Sequence, residues 1–239
     1  MEFFKKLVFF LLLIWQLPVF SHENTSNFHL ALELSSKYMW RGIEYGTSPV
    51  AFPSVYYNNK GFNVFAMGAY AFDGSHQEVD YGLSYSRGWF TLGASDYFFP
   101  SAVGEKDNYF DYKSHSTGHS VETYLTVMPT NFPMWLTLST YVYGADKKTN
   151  GDQAYSSYAE LGYRYDFNAD NQLSLTVGAN LNKSFYTDYV SGFNVVNIAM
   201  KYAVNVPIGK KFKLPLSASY ILNPYKKKSF FTFSLYFNY

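Results

Sequence analysis

Apolar residues recur at every second position over most of this chain, and that period of two restricts the fold more than any other feature. Between residues 172 and 181, for example, Leu173, Leu175 and Val177 alternate with small or polar residues. Successive side chains of a β-strand point to opposite faces, so the pattern predicts strands with one apolar face. After residue 21, no apolar run reaches the ~20 residues that a membrane-spanning helix needs. The sequence therefore predicts an all-β protein.

The alternation occurs in twelve segments, which we predict to be strands of a single domain. They are residues 28–41, 50–57, 62–72, 78–86, 89–98, 119–128, 134–144, 154–165, 172–181, 193–206, 212–222 and 229–239. Connections after even-numbered strands are short, whereas those after odd-numbered strands are mostly longer or more polar. Short turns at one end and longer loops at the other are typical of outer-membrane barrels. We therefore predict an antiparallel up-and-down transmembrane β-barrel over residues 22–239, with both termini on the periplasmic side.

The composition of the chain argues against nucleic-acid binding and excludes thiolate chemistry. Aromatic residues make up 21% of the 239 residues, and the formal net charge is +1. A neutral chain lacks the basic surface of a nucleic-acid binder, so no nucleic-acid partner is predicted. The absence of cysteine excludes a thiolate metal site and a cysteine nucleophile, and we predict no metal or cofactor. Candidate residues for the aromatic girdles that flank a bilayer are Tyr56, Phe90, Phe98, Trp135, Tyr163, Tyr165 and Tyr236.

Residues 1–21 have the pattern of an export signal. Lys5 and Lys6 precede an apolar run at residues 7–17, and Val19 and Ser21 suit cleavage after Ser21. The alternative is a transmembrane anchor, but the apolar run is shorter than the ~20 residues that an anchor needs. We predict a signal peptide over residues 1–21 and a mature chain outside the cytoplasm.

A soluble β-sandwich or lipocalin-like barrel would also show alternation, so the period alone does not decide the environment. The two classes differ in whether the apolar face lies inside or outside. The export signal, the unequal loops and the aromatics near strand ends favour a barrel in contact with the lipid of a bacterial outer membrane.

An ordered set of short motifs carries a family resemblance. They include SKYMWRGI at residues 36–43, EVDYGLSY at 78–85, SYAELGY at 157–163 and GFNVVNI at 192–198. Their order over nearly the whole mature chain resembles the TorF-like porins, a family of bacterial outer-membrane barrels. The resemblance implies an outer-membrane barrel and brings no known substrate. Tyr239, which ends a row of alternating apolar residues, also looks like the C-terminal signal that such barrels present to their assembly machinery; the alternative is an ordinary edge strand.

The charged residues that alternate with the apolar ones, and so share the polar face of their strands, are the candidate site. They are Glu33, Lys37, Arg41, Glu78, Asp80, Glu122, Glu160, Arg164 and Lys201. In an open lumen they would set the selectivity of a passive channel for small polar solutes. Alternatively, they pair with one another and fill the interior. Barrels of about eight strands are filled by side chains and those of roughly 16–18 hold a channel, so twelve strands leave both outcomes open.

Two further alternatives concern the loops. The longest loop, residues 99–118, either folds inward as a constriction or ligand site, or is a solvated surface loop. An outer-membrane lipid hydrolase would need a serine within hydrogen-bond reach of a histidine. The residues that come nearest to such a catalytic set are His115, His119, Ser120 and Glu122. His119 and Ser120 are adjacent on a predicted strand and so point to opposite faces. We predict no catalytic residues and no enzyme, with a non-conducting scaffold or partner-binding barrel as the other alternative.

Overall fold

The structure, a computed structural model, describes residues 27–100, 108–209 and 212–238. Twelve antiparallel strands close into a barrel, and two short strands form a separate hairpin. The barrel strands are β1 (Phe28–Ser35), β4 (Val50–Asn59), β5 (Phe62–Ala71), β6 (Gln77–Arg87), β7 (Phe90–Phe98), β8 (His119–Val127), β9 (Met134–Gly144), β10 (Ser157–Asn168), β11 (Asn171–Asn180), β12 (Asn194–Ile208), β13 (Phe212–Asn223) and β14 (Lys228–Asn238). The hairpin is β2 (Tyr38–Trp40) with β3 (Ile43–Tyr45). The predicted all-β, twelve-stranded antiparallel barrel is therefore confirmed.

Each barrel strand pairs with its neighbour in the chain, and β1 closes the sheet. β1 pairs with β4 on one side and with β14 on the other, where Leu34 lies opposite Leu235. Short turns lie at one end, as between β4 and β5, where Lys60 and Gly61 have φ of 48° and 89°. Positive φ at both central residues is the backbone of the tight turns that match strand twist. Phe28 and Asn238, where the described barrel begins and ends, lie at this same end.

The outer wall is apolar. Leu83, Leu92 and Phe233 are 59%, 60% and 58% exposed although they lie in the middle of paired strands. Leu175 and Val177 are also exposed, so the apolar phase that the sequence predicts faces outward. This is the reverse of a soluble barrel and the arrangement of one surrounded by lipid. In the described part of the chain, no helix has the length and apolar composition to cross a bilayer.

The inner wall combines small residues with large aromatic ones. Gly162 lies opposite Trp135, and a β-carbon on this glycine would overlap the indole ring. Tyr236 also faces inward, because its hydroxyl accepts a hydrogen bond from Lys201 at 2.8 Å. Tyr56 also faces inward, because its neighbour Val55 is exposed on the outer wall. Trp135, Tyr236 and Tyr56 thus line the interior, and their prediction as girdle residues is wrong. Periodicity near strand ends does not separate an interfacial aromatic from one that fills the lumen.

The first predicted strand, residues 28–41, ends early. β1 stops at Ser35, and the Ser36 hydroxyl accepts a hydrogen bond from the Phe233 backbone N–H at 3.0 Å. The chain then leaves the wall, because Tyr38 packs with Val50 and Ala69 in a cluster of buried residues. The β2–β3 hairpin consequently lies inside the barrel, in a segment where the sequence predicted the end of a strand and a loop.

Candidate functional site

The β2–β3 hairpin crosses the interior of the barrel at the long-loop end. At its base, Tyr38 packs against Phe52 of β4, with ring centroids 5.0 Å apart. At its tip, the Gly42 carbonyl accepts a hydrogen bond from the Asn223 side chain of β13 at 3.1 Å. A β-carbon on Gly42 would overlap the Val196 carbonyl oxygen of β12, so the tip fits tightly against the far wall. The hairpin therefore spans the lumen from β4 to β12 and β13.

The turn at the hairpin tip is unusual in its first residue. Arg41 and Gly42 have φ of 48° and 80°, as required at the centre of a two-residue type I′ turn. Glycine, asparagine and aspartate adopt this left-handed conformation readily, whereas arginine does so rarely. Contacts of the Arg41 side chain therefore have to offset a backbone cost of roughly 1 kcal/mol or more.

The Arg41 guanidinium has partners on every side. Its Nη1 donates to Glu122 Oε1 at 2.6 Å and its Nη2 donates to Glu122 Oε2 at 3.1 Å. Nη1 also donates to the Tyr186 hydroxyl at 2.6 Å. The guanidinium carbon lies 4.6 Å from the ring centroid of Trp40 and 4.5 Å from that of Tyr158. A bidentate carboxylate in the plane and aromatic rings near the guanidinium are the two features that bind this group most strongly.

We call Glu122, Tyr97, Tyr141, Tyr158 and Tyr186 the guanidinium cage. All five are buried, and Glu122 is only 1% exposed. The Tyr97 hydroxyl donates to Glu122 Oε2 at 3.0 Å, so the carboxylate is held from a second side. Isolation from water strengthens the ion pair and makes an unpaired Glu122 costly. The cage is thus built around a cation.

A second inward segment completes the cage. Residues 182–193 contain a 3-10 turn, Phe185–Thr187, which carries Tyr186 into the interior. Tyr186 stacks on Tyr158 at a centroid distance of 5.2 Å, and Phe185 meets Tyr141 edge-on at 5.3 Å. These contacts hold Tyr186 in place from within the barrel wall.

Glu78 and Asp80 of β6 lie on the inner face beneath the hairpin. They are 2% and 1% exposed, and His76 Nε2 lies 3.1 Å from Glu78 Oε2. Neither carboxylate oxygen of Asp80 has a hydrogen-bond partner among the described residues. The two carboxylates share one face, as the alternation predicts, but in this conformation the lumen does not reach them.

The base of the hairpin is tied to the loop between β5 and β6. Asp73 accepts hydrogen bonds from Thr47 at 2.8 Å, from Ser48 at 2.9 Å and from the Ser75 backbone at 2.9 Å. Hydrogen bonds from Ser75, and then from Thr47 and Ser48, hold the pKa of the Asp73 carboxyl well below its ordinary value. Asp73 is therefore charged at neutral pH, and its contacts hold the chain after β3 to the β5–β6 loop.

The remaining predicted charges are distributed along the lumen. Lys37, at the foot of the hairpin, pairs with Glu44 of β3. Glu160 accepts a hydrogen bond from the Tyr158 hydroxyl at 2.9 Å. Ser174 of β11 lies between Arg164 of β10 and Lys201 of β12, so the three residues form one row across these strands. Glu33 of β1 lies opposite Tyr236 on β14. The structure brings Arg41 and Glu122 together and leaves the other candidates apart from that pair.

The described part of the longest loop, residues 108–118, covers the outer wall. Tyr112 stacks on His119 at a centroid distance of 4.0 Å, and its hydroxyl donates to Asp96 at 3.1 Å. Asp96 and His119 point outward, on the opposite face from Tyr97 and Ser120. Of the two alternatives for this loop, residues 108–118 do not form the inward constriction; the β2–β3 hairpin and residues 182–193 occupy the interior instead.

The geometry around His119 does not form a serine hydrolase site. His119 Nε2 lies 2.7 Å from the Tyr109 carbonyl oxygen, and Nδ1 lies 2.9 Å from Asp96 Oδ2. Ser120 is on the other face of the wall, so its hydroxyl cannot serve as the nucleophile for His119. Within the described residues, no three or more His, Asp or Glu side chains converge as a metal site.

Sequence reasoning found Arg41 and Glu122 but not the aromatic part of the cage. Tyr158 lies on the polar phase of its strand, and that position was a usable signal, because a tyrosine among glycine and charged residues faces the interior. Tyr186 lies in a connection with no periodicity. No local pattern marked it, because its position depends on contacts with distant strands.

Comparisons with known proteins show the fold. No protein-family model matches the chain, and no curated protein matches it. A KdgM porin solved in complex with disordered oligogalacturonate is similar in structure, with a TM-score of 0.50 and 9% identity, over 88% of this chain and 98% of that chain. A NanC porin is similar with a TM-score of 0.50 and 9% identity, over 87% of this chain and 97% of that chain. At this identity the likeness shows the β-barrel fold alone.

Proposed function

We propose that this protein is an outer-membrane, porin-like channel for the passive diffusion of small polar solutes. The observation that carries the proposal is the closed twelve-stranded barrel with an apolar wall outside and charged and hydroxyl-bearing residues inside. A closed barrel satisfies all backbone hydrogen bonds without an exposed edge, which a bilayer requires. The polar interior then offers the path for solutes.

The hairpin limits that path in the conformation described. It spans the interior at the long-loop end and is fixed at its tip by Arg41 and Gly42. We therefore propose a low conductance while the hairpin is in place. Solute passage then depends on movement of the hairpin away from β12 and β13.

Inner-wall charge supports a preference for cations. The inner face of the described strands carries six acidic residues against four basic ones: Glu33, Glu78, Asp80, Glu122, Glu160 and Asp166 against Arg164, Lys201, Lys213 and Lys228. An excess of one sign in a confined low-dielectric passage raises the local concentration of the opposite ion. Oligogalacturonate, which the KdgM porin binds, is a polyanion. An acidic lumen does not suit a polyanion of this kind.

The proposal includes the biogenesis that the sequence predicts. Residues 1–21 and Tyr239 lie outside the described residues. Export through the signal peptide, membership of the TorF-like family and recognition of the last strand by the barrel-assembly machinery are parts of this proposal. Phe233 and Phe237 are exposed on the outer face of β14. This aromatic row supports recognition of the last strand by the assembly machinery.

Conductance of the purified protein in a planar bilayer tests the channel. Discrete current steps are expected, with a reversal potential under a salt gradient that indicates cation preference. A lipid-release assay on the same preparation tests the enzymatic alternative, and no release is expected. Absence of current in both the wild type and a variant freed of the hairpin contacts would overturn the channel.

The second candidate function is a non-conducting scaffold. The obstruction of the interior by the hairpin is the observation that favours it, because the tip is held by both an ion pair and a backbone contact. A scaffold predicts no current even after the Arg41 contact is removed. The channel predicts a larger current in that variant.

A further inference from the structure

The guanidinium cage has the composition of a ligand site. It combines one buried carboxylate, Glu122, with the ring of Tyr158 at 4.5 Å from the bound cation. Aromatic rings with a carboxylate are how proteins bind ammonium and guanidinium groups away from water. In this structure, the group bound there is the side chain of the protein's own Arg41.

Three observations separate this site from an ordinary stabilising ion pair. Arg41 and Glu122 are 81 residues apart and lie on different elements, a hairpin inside the barrel and the barrel wall. Arg41 has the left-handed backbone that arginine rarely adopts. The carboxylate and the tyrosine rings that hold it belong to the wall and the 182–193 segment, so they remain when the hairpin moves.

We propose that the guanidinium cage is a binding site on the solute path for small organic cations that carry a guanidinium or ammonium group, and that Arg41 occupies it as an internal competitor. The inference rests on the proposed channel function and names its substrate class. A cationic solute that enters the lumen replaces Arg41 on Glu122, and the hairpin tip is released from the wall. Guanidinium binds better than ammonium, because only a planar fork matches both oxygens of Glu122 and the Tyr186 hydroxyl.

The removal of Arg41 tests the site without any need for ion flow. Arg41→Ala empties the cage, and low-millimolar methylguanidinium chloride is the probe. Thermal unfolding of the purified barrel in detergent is compared with the same concentration of sodium chloride. The melting temperature of Arg41→Ala is expected to rise by a few degrees with methylguanidinium and not with sodium, because a ligand that binds only the folded state stabilises it. The wild type, in which Arg41 competes for the cage, is expected to show a smaller rise than Arg41→Ala at the same concentration.

The double variant Arg41→Ala with Glu122→Gln is the matched control. It lacks the carboxylate and is expected to lose the response to methylguanidinium. An equal rise of the melting temperature in the double variant, or no rise in Arg41→Ala, would show that the cage does not bind ligands. Arg41 would then only stabilise the fold. If Arg41→Ala does not fold alone, refolding into detergent with and without methylguanidinium gives the same answer. The site then predicts a larger folded fraction with the probe for the single variant only.

Bilayer measurements separate failure of the site from failure of the channel. Arg41→Ala is expected to carry methylguanidinium in preference to sodium, and the double variant is expected to lose that preference. Thermal rescue with no current in any variant would support the cation site and overturn the channel. Current without thermal stabilisation by methylguanidinium, and without preference for methylguanidinium over sodium, would support the channel and overturn the binding site.

Discussion

Lys201 on β12 and Tyr236 on β14 meet inside the barrel, across the strand that separates them. Lys201 Nζ donates to the Tyr236 hydroxyl at 2.8 Å and lies 5.0 Å from the centroid of the same ring. The contact orients the Lys201 ammonium group inside the lumen. It also shows that the last strand contributes to the inner wall as well as to barrel closure.

Tyr236→Phe keeps the ring and removes the acceptor. Because a hydrogen bond from a charged donor is lost at a partly buried site, we expect a stability loss of about 1–2 kcal/mol. Urea unfolding in lipid vesicles measures it. Tyr220→Phe, on the exposed outer face of β13, is the control and is expected to change stability much less. An equal loss in both variants would contradict the assigned contact.

Gly162→Ala introduces a β-carbon where the Trp135 indole lies. Overpacking of this kind costs about 1–3 kcal/mol, because the ring has to shift against the inner wall. Gly192→Ala is a suitable control, since a β-carbon there meets no atom within 4 Å. Comparable folded yields and unfolding midpoints for the two variants would show that Trp135 does not rest on Gly162.

Leu83→Arg places a charge on the outer wall at a side chain that is 59% exposed. If Leu83 faces the middle of the bilayer, the variant is expected to lose ~2–4 kcal/mol of stability in vesicles. Leu83→Ala, which stays apolar, is expected to lose less. A soluble barrel predicts the opposite ranking, with the arginine variant tolerated in water.

Neutralisation of the β6 carboxylates tests the origin of cation preference. Glu78→Gln with Asp80→Asn is expected to leave the fold intact, because an amide at position 78 can keep the contact with His76 and the Asp80 oxygens have no hydrogen-bond partners among the described residues. With the hairpin released by Arg41→Ala, we expect the reversal potential under a salt gradient to shift toward anions, most strongly at low salt. An unchanged potential in that background would reject both residues as selectivity determinants.

The barrel itself was predictable from sequence because one physical constraint acts on every strand. Residues such as Leu175 and Val177 face lipid, and their neighbours face the lumen, so a period of two runs through the chain. The strand count and the unequal turns follow from the same pattern. The face of an aromatic near a strand end did not follow, as Trp135 and Tyr236 show.

The hairpin and the cage were not predictable for a different reason. Residues 38–45 alternate like a strand, and nothing local shows that the chain leaves the wall after Ser35. What holds them inside is contact with Val196 and Asn223, which are far away in sequence. Arg41 and Glu122 were both recognised as inward charges, but their pairing depends on the tertiary fold.

Accessibility of single cysteines along β11 tests the membrane barrel most directly, because the chain has no cysteine of its own. Cysteines replace Leu173, Ser174, Leu175, Thr176 and Val177 one at a time, in protein reconstituted into vesicles. The account predicts that a water-soluble maleimide labels positions 174 and 176, whereas a lipid-soluble one labels 173, 175 and 177. Labelling of all five by the water-soluble reagent, or protection of the odd positions from both reagents, would contradict a lipid-facing outer wall around a polar interior.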